Sequence, residues 1–323
     1  MKSNNCSKVI FFSNFTEKKD ILKVLVIKST GSRVIVRGED KENYPCVLKG
    51  NFRMKGIRHT NPVAIGDKVE FEPSGGEDPG LIFFVEPRFN YIIRRSVKLS
   101  RESHIIAANL DHAFLIVTLA RPVTSNGFID RFLVTAEGYH IKSSLVFNKM
   151  DLYEAAHLAW LDELTAIYEK AGYPCFRVSA LTGEGLDELK AKLPGKVSLF
   201  SGHSGAGKSA LIKAIEPGLD LRIGKISETH QKGMHTTTFA EMYELTEGGF
   251  IIDTPGIREF GLIGFEKSEI PRCFPEMDRY LPECQYNNCS HTHEPGCAVK
   301  EAVREGLVSV LRYNSYLSIL DDR

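Results

Sequence analysis

Gly202, His203, Ser204, Gly205, Ala206, Gly207, Lys208 and Ser209 match the pattern GxxxxGK[ST], placed after the apolar run 196–202 and before a helix-compatible segment, 208–215. That context gives the pattern its chemistry. The glycines let backbone N–H groups close around a β-phosphate, and the N-terminus of the next helix adds partial positive charge. Lys208 then reaches the β and γ phosphates, Ser209 offers its hydroxyl to Mg²⁺, and Ala210 is expected to join residues 202–209 in binding the nucleotide. Asp253, Thr254, Pro255 and Gly256 follow the run GFIID, 45 residues after Lys208. A carboxylate at Asp253 can hold the magnesium shell, and the backbone N–H of Gly256 can sense a γ-phosphate. The chemistry implied is nucleoside triphosphate hydrolysis.

The base is addressed by Asn148, Lys149, Met150 and Asp151, an NKxD pattern at the end of the strand-like run SSLVF. An ionised Asp151 can accept hydrogen bonds from both guanine donors, N1–H and the exocyclic amine, which adenine does not offer in that arrangement. Asn148 is expected to tie loops together and Lys149 to lay its stem over the base. Ser179, Ala180 and Leu181 follow another strand, and the N–H of Ala180 is expected to donate to guanine O6. Each pattern alone is weak, and helix capping is the ordinary role for Asp151 or Ser179. The four together specify a guanine-nucleotide site.

A polar stretch, 218–238, lies between the phosphate loop and Asp253 and contains His235, Thr236 and Thr237. One of the two threonines, preferably Thr237, is expected to complete the magnesium shell as a switch loop does. The residue after DTPG is Ile257, which cannot hydrogen-bond water. Intrinsic hydrolysis should therefore be slow. The catalytic candidates are Lys208, Thr237 and His235, the last to position water unless a partner supplies the group.

Cys284, Cys289, His291 and Cys297 are spaced C-x4-C-x-H-x5-C. Three thiolates and an imidazole suit one closed, tetrahedral structural zinc, with His293 and Cys273 as competing ligands and buried free thiols as the alternative. Clustered cysteines in a chain without a secretory signal favour metal over disulfides. The apolar run 9–12 is too short for a signal-peptide core, so a cytoplasmic protein is expected. No apolar run approaches the ~20 residues of a membrane helix.

The elements that must position these groups change grammar along the chain. Residues 1–20 have no periodicity and read as a leader, either disordered or appended. Residues 21–95 carry short alternating runs punctuated by Gly and Pro, which fit a five-stranded OB-like barrel. Within it, Phe52, Arg53, Met54, Lys55, Gly56, Ile57, Arg58 and His59 mix basic and apolar residues, a composition suited to single-stranded RNA. A basic connector with Arg94, Arg95, Lys98 and Arg101 follows. Residues 96–262 alternate strands (113–120, 143–149, 175–179, 196–202, 249–253) with helices (127–139, 153–171, 185–192, 208–215), the pattern of a parallel sheet covered on both faces. Residues 263–323 form a helical zinc-binding region, with helices at 265–280 and 297–320 and Val299, Val303, Leu307, Val310 and Leu311 on one apolar face.

Charge supports this division: the chain is neutral overall, with 19 basic against 12 acidic residues in 1–110 and 22 against 29 in 111–323. A basic front points to an anionic partner such as nucleic acid. The motif order is also unusual, since the base motifs precede the phosphate loop. The site survives if the usual last helix, ending near Lys192, joins the phosphate-loop strand through Leu193, Pro194 and Gly195, a circular permutation that neighbouring termini make physically cheap.

The order NKMD, SAL, GHSGAGKS, HTTT, DTPG, with a barrel before and a Cys3His cluster after, resembles the RsgA (YjeQ) family of circularly permuted GTPases over residues 22–320. The resemblance implies a cytoplasmic bacterial GTPase in late maturation of the small ribosomal subunit, binding rRNA and stimulated by that particle, and the expected state is a monomer. Two other readings differ in class: a metal-handling GTPase, which would show exchangeable zinc, and a nonenzymatic RNA-binding module. Intact Lys208, Ser209, Asp253 and Asp151 disfavour the second.

Overall fold

The computed structural model describes residues 21–30, 33–49, 62–74, 78–95, 103–219, 240–254 and 263–322. Strands β1 (Leu22–Thr30), β2 (Arg33–Arg37), β3 (Asn43–Leu48), β4 (Lys68–Glu72) and β5 (Gly80–Val85) close into a barrel of order β1-β2-β3-β5-β4. Period-2 alternation turns Val24, Val26, Val34, Val36, Val69, Phe71 and Ile82 into its core. β3 and β5 pair in parallel and the other neighbours antiparallel. This is the OB-like barrel expected. The stretch 52–59 lies outside the described residues.

The basic connector is corrected. Arg94 and Arg95 end strand β6 (Tyr91–Arg95), which pairs antiparallel with β7 (Ser103–Ala108). The reason lies in Ile92, Ile93, Ile105 and Ala107, all buried in the core of the following sheet. The barrel is joined to this hairpin through buried groups, Ile65 bridging Ala107. Gly66 has φ +87°, and a Cβ there would stand 2.1 Å from the Ala108 carbonyl oxygen. Only glycine allows that approach. Asn109 Nδ2 donates to the Gly66 carbonyl at 2.9 Å, and buried Arg88 donates to both oxygens of buried Asp67 at 2.6 and 2.7 Å.

The central sheet contains β8 (His112–Val117), β9 (Ser143–Phe147), β10 (Cys175–Arg177), β11 (Val197–Gly202), β12 (Glu241–Glu244) and β13 (Phe250–Asp253), in order β10-β9-β8-β11-β13-β12. Helices α1 (Asn126–Gly138) and α2 (Ala155–Ala171) pack on the face carrying Leu115, Val117, Leu145 and Phe147. Helices α3 (Leu186–Lys190) and α4 (Lys208–Ile215) cover the opposite face with Phe114, Ile116, Val146 and Phe200. Because neighbouring strand residues face opposite helices, each strand reads as a continuous apolar run. Three expected strands are shortened to end at Val117, Phe147 and Arg177, which leaves the motif residues on loops at the carboxyl ends. Strand β12, antiparallel to β13, was not anticipated.

The C-terminal region has 3₁₀ segments Lys267–Cys273 and Leu281–Glu283 and helices α5 (Pro275–Asp278), α6 (Ala298–Arg304) and α7 (Val310–Asp321). The single apolar face expected across 297–320 is corrected, because the chain breaks between α6 and α7 and leaves Leu307 42% and Val310 58% exposed. Val299 is buried as expected with Val303 packed beside it, and Ala302, Val308, Tyr316 and Ile319 complete the cluster, with Val134 of α1. At this joint Arg312 of α7 is fully buried; it donates to Asp130 of α1 at 2.7 Å and to both Glu276 oxygens at 2.6 and 3.1 Å. Its guanidinium lies 4.7 Å from the Phe274 ring centroid, and the Tyr168 hydroxyl of α2 donates to Asp130 at 3.0 Å. Among the described residues no helix is long and apolar enough to cross a membrane.

Candidate functional site

The loops at the carboxyl ends of β8, β9, β10 and β11 converge, which is where open α/β sheets bind ligands. Gly202 ends β11, and the phosphate-loop pattern turns into α4 with Gly207 at φ +91°. A Cβ on Gly207 would stand 2.5 Å from Asn148 Nδ2. The loop therefore needs glycine to pass under the base motif. Lys208 is buried and its ammonium donates to the carbonyls of Gly202 at 2.9 Å and His203 at 3.2 Å. Burial pulls its pKa down and the Asp253 carboxylate works against that. Ser209 Oγ donates to Asp253 Oδ2 at 3.4 Å. An octahedral Mg²⁺ with bonds of ~2.1 Å sets neighbouring ligands about 3 Å apart, so this pair fits the ion's immediate surroundings. His203 stacks on Phe128 of α1 with ring centroids 3.7 Å apart, and burial, then the Lys208 charge, holds its pKa below the ordinary value.

Asn148 ties three loops together. Its Nδ2 donates to the Ala206 carbonyl at 2.9 Å and its Oδ1 accepts from Ala180 N at 3.1 Å. The second contact packs the SAL loop directly on the asparagine and brings the Ala180 N–H, the group expected to donate to guanine O6, beside the base motif. Lys149, in the left-handed region at φ 69°, donates to the carbonyls of Gly205 at 2.7 Å and of Arg121. Its stem thus crosses the phosphate loop, and burial lowers its pKa while Asp151 raises it. Asp151 sits exposed on a 3₁₀ turn and accepts from Ser179 Oγ at 2.5 Å. Ser179 Oγ also accepts from the N–H groups of Leu181 and Thr182, which fixes the SAL turn. Ser204 of the phosphate-loop pattern is exposed. His235, Thr236, Thr237 and Gly256 lie outside the described residues.

One contributor was missed in the sequence. Tyr153 hydroxyl accepts from Leu119 N and donates to the Asn148 carbonyl, both at 2.8 Å, bridging the loops after β8 and β9. Burial raises its pKa, which keeps the phenol protonated and able to donate. The only trace of it was an aromatic two positions after Asp151.

A second constellation lies in the C-terminal region. The ligand atoms of Cys284, Cys289, His291 and Cys297 all lie within 4.8 Å of one another. His291 Nδ1 is 3.5 Å from Cys284 Sγ and 3.4 Å from Cys297 Sγ. Zn–S bonds of ~2.3 Å place tetrahedral ligands about 3.8 Å apart, so the donor set fits zinc. Its support is built in: Tyr313 donates to the His291 carbonyl and Tyr316 to the Ser290 carbonyl, both at 2.6 Å. Burial would raise the Glu294 carboxyl, but hydrogen bonds from Ser290 and Thr292 outweigh it and hold the group far below the usual range. The competing candidates fall outside the cluster, His293 against Thr292 and Cys273 against the Glu269 carbonyl.

A sheet in which base-side loops precede the phosphate loop, behind an OB-like barrel and ahead of a Cys3His module, defines a circularly permuted P-loop GTPase. The chain belongs to the RsgA GTPase family. The family model for RsgA GTPase matches residues 85–263 and that for the RsgA N-terminal domain residues 25–82. Small ribosomal subunit biogenesis GTPase RsgA of Bacteroides fragilis is 52% identical over 302 residues, covering 94% of this chain and 97% of that protein. The RsgA 2 protein of Bacteroides thetaiotaomicron is 53% identical over the same length. The crystal structure of YjeQ from Thermotoga maritima superposes with a TM-score of 0.76 at 35% identity, covering 94% of this chain and 98% of that one. YloQ, a circularly permuted GTPase, shares the fold with a TM-score of 0.71 at 24% identity.

Proposed function

We propose that this GTPase acts in the biogenesis of the small ribosomal subunit, in the cytoplasm, as a monomer that docks on rRNA through its basic barrel. The carrying observation is Asn148, whose side chain joins the phosphate loop at Ala206 to the SAL loop at Ala180. That geometry supports a guanine site in which Asp151 accepts the two base donors, Lys149 covers the base, and residues 202–209 hold the phosphates with Lys208 as their charge partner. Bound Mg²⁺ would supply charge neutralisation at the phosphates, with Ser209, Asp253 and Thr237 as the residues around it. His235 is the candidate to position water, and Ile257 leaves that task to it or to the subunit. One zinc held by Cys284, Cys289, His291 and Cys297 serves structure, as the burial of His291 and Cys297 supports.

The test is GTP turnover with and without small subunits, alongside GDP and ADP affinities. Turnover by the free protein should be on the order of 10⁻⁴ to 10⁻² per second and rise by orders of magnitude with subunits. Asp151→Asn should weaken guanine binding at least ~10-fold, since each hydrogen bond to a charged group contributes about 1.5–3 kcal/mol. Equal affinity for GDP and ADP would refute the base assignment, and fast turnover by the free protein would refute partner dependence.

A further inference from the structure

The barrel touches the nucleotide sheet a second time, far along the chain from the Gly66 joint. Lys28 of β1 donates to Glu241 Oε1 at 2.5 Å. Arg37 of β2 donates to Glu244 Oε2 from Nη2 at 2.7 Å and from Nε at 3.1 Å, and Lys41 stands 3.8 Å from the other oxygen. Both acceptors lie on β12, the outermost strand of the sheet. β12 has one sheet neighbour, β13, and the register sets Glu241 directly across from Asp253 and Glu244 across from Phe250. Tyr243 Oη donates to Glu241 Oε2 at 2.8 Å, so that carboxylate is held from two sides. Asp253 in turn accepts from Ser209 of the phosphate loop.

An edge strand of four residues has hydrogen-bonded support from one side only, and its position is soft unless something holds the other side. Here the barrel does. Partly exposed ion pairs contribute little to global stability, so the effect of these contacts is on where β12 and its partner Asp253 sit. We infer that Lys28, Arg37, Glu241 and Glu244 form an ionic latch of positioning residues, through which placement of the barrel sets placement of Asp253 for GTP hydrolysis. The inference rests on the reading of Asp253 as a residue of the magnesium surroundings.

The experiment compares wild type, E241Q/E244Q, R37E and the charge swap R37E/E244R, in the full-length protein. It measures steady-state GTP turnover, GDP affinity and thermal midpoint. E241Q/E244Q and R37E should each lower kcat by about 5-fold or more with KM and GDP affinity within about 2-fold, the signature of a group acting in the transition state rather than in uniform binding. The swap should return kcat to within about 2-fold of wild type, since it restores opposite charges at the same place. Raising salt from about 0.05 to 0.3 M should lower wild-type kcat toward that of E241Q/E244Q and leave that variant unmoved, because partly exposed pairs are screened. Unchanged kcat in both disrupted forms, or a folded swap that rescues nothing, overturns the latch. Failure of the underlying reading looks different: D253N would then show the turnover and the Mg²⁺ dependence of the wild type.

Discussion

The two accessory modules are fastened to the nucleotide sheet by joints of opposite character. The C-terminal module is sealed on with Arg312, which has no exposed surface and is shared between Asp130 of α1 and Glu276 of α5, under Phe274 and Tyr168. The barrel combines one dry joint, around Gly66 and the Arg88–Asp67 pair, with a wet one, where the paired side chains keep about a quarter to two-fifths of their surface exposed. Buried charge is costly to take from water and more costly to leave without its partner, whereas exposed charge is nearly neutral to make or break. The contrast teaches that the Cys3His module is locked to α1 by a buried charge cluster, while one side of the barrel is held by contacts that ionic strength can weaken.

The largest expected effect tests what the sealed module contains. Removing zinc with a chelator, or Cys289→Ser, should unfold the segment 281–297, because metal-binding energy in such small sites is folding energy, about 10–16 kcal/mol in isolated zinc peptides. Metal analysis should find one zinc in the wild type and none in the variant, while GDP binding persists; zinc retained in the variant would place the ligands elsewhere. Next comes Arg312→Met, which leaves Asp130 and Glu276 buried and uncompensated and should cost ~3–5 kcal/mol in denaturant unfolding. A loss below about 1 kcal/mol would show that the joint is not sealed, on the scale of exposed pairs. The smallest effect belongs to the wet joint: Arg37→Ala should cost no more than ~1 kcal/mol, and the cost should shrink as salt rises. A cost as large as that of Arg312→Met would erase the difference between the joints.

Much of the site could be read directly, because each motif sits where a strand ends and the chemistry needs its residue types there. Gly207, Lys208, Asn148 and Ser179 stand where their spacing put them. What escaped was pairing across long distances. Strand β12 reads as polar, EMYE, because Glu241 and Glu244 face basic residues more than 200 positions earlier. The arginines of β6 disguised a strand whose Ile92 and Ile93 are buried. Arg312 gave no sign of burial, since a single arginine on α7 is ordinarily solvated and its partners are 182 and 36 residues away. The apolar face assigned across 297–320 holds at Val299 and Val303 and is lost at Leu307 and Val310 for a local reason, a break of five residues between two helices.

The strand order carries a consequence for synthesis. β8 pairs on one side with β9 and on the other with β11, and β11 begins 80 residues after β8 ends. While a ribosome makes this chain, the half-sheet β10-β9-β8 emerges first, with an apolar strand edge that has no mate until the phosphate-loop segment leaves the exit tunnel. At ~5–20 residues per second that interval lasts seconds, and an open edge of this kind is a template for association with other chains. A sheet closed in this order is therefore most exposed to wrong pairing during its own synthesis, in the interval before β11 arrives.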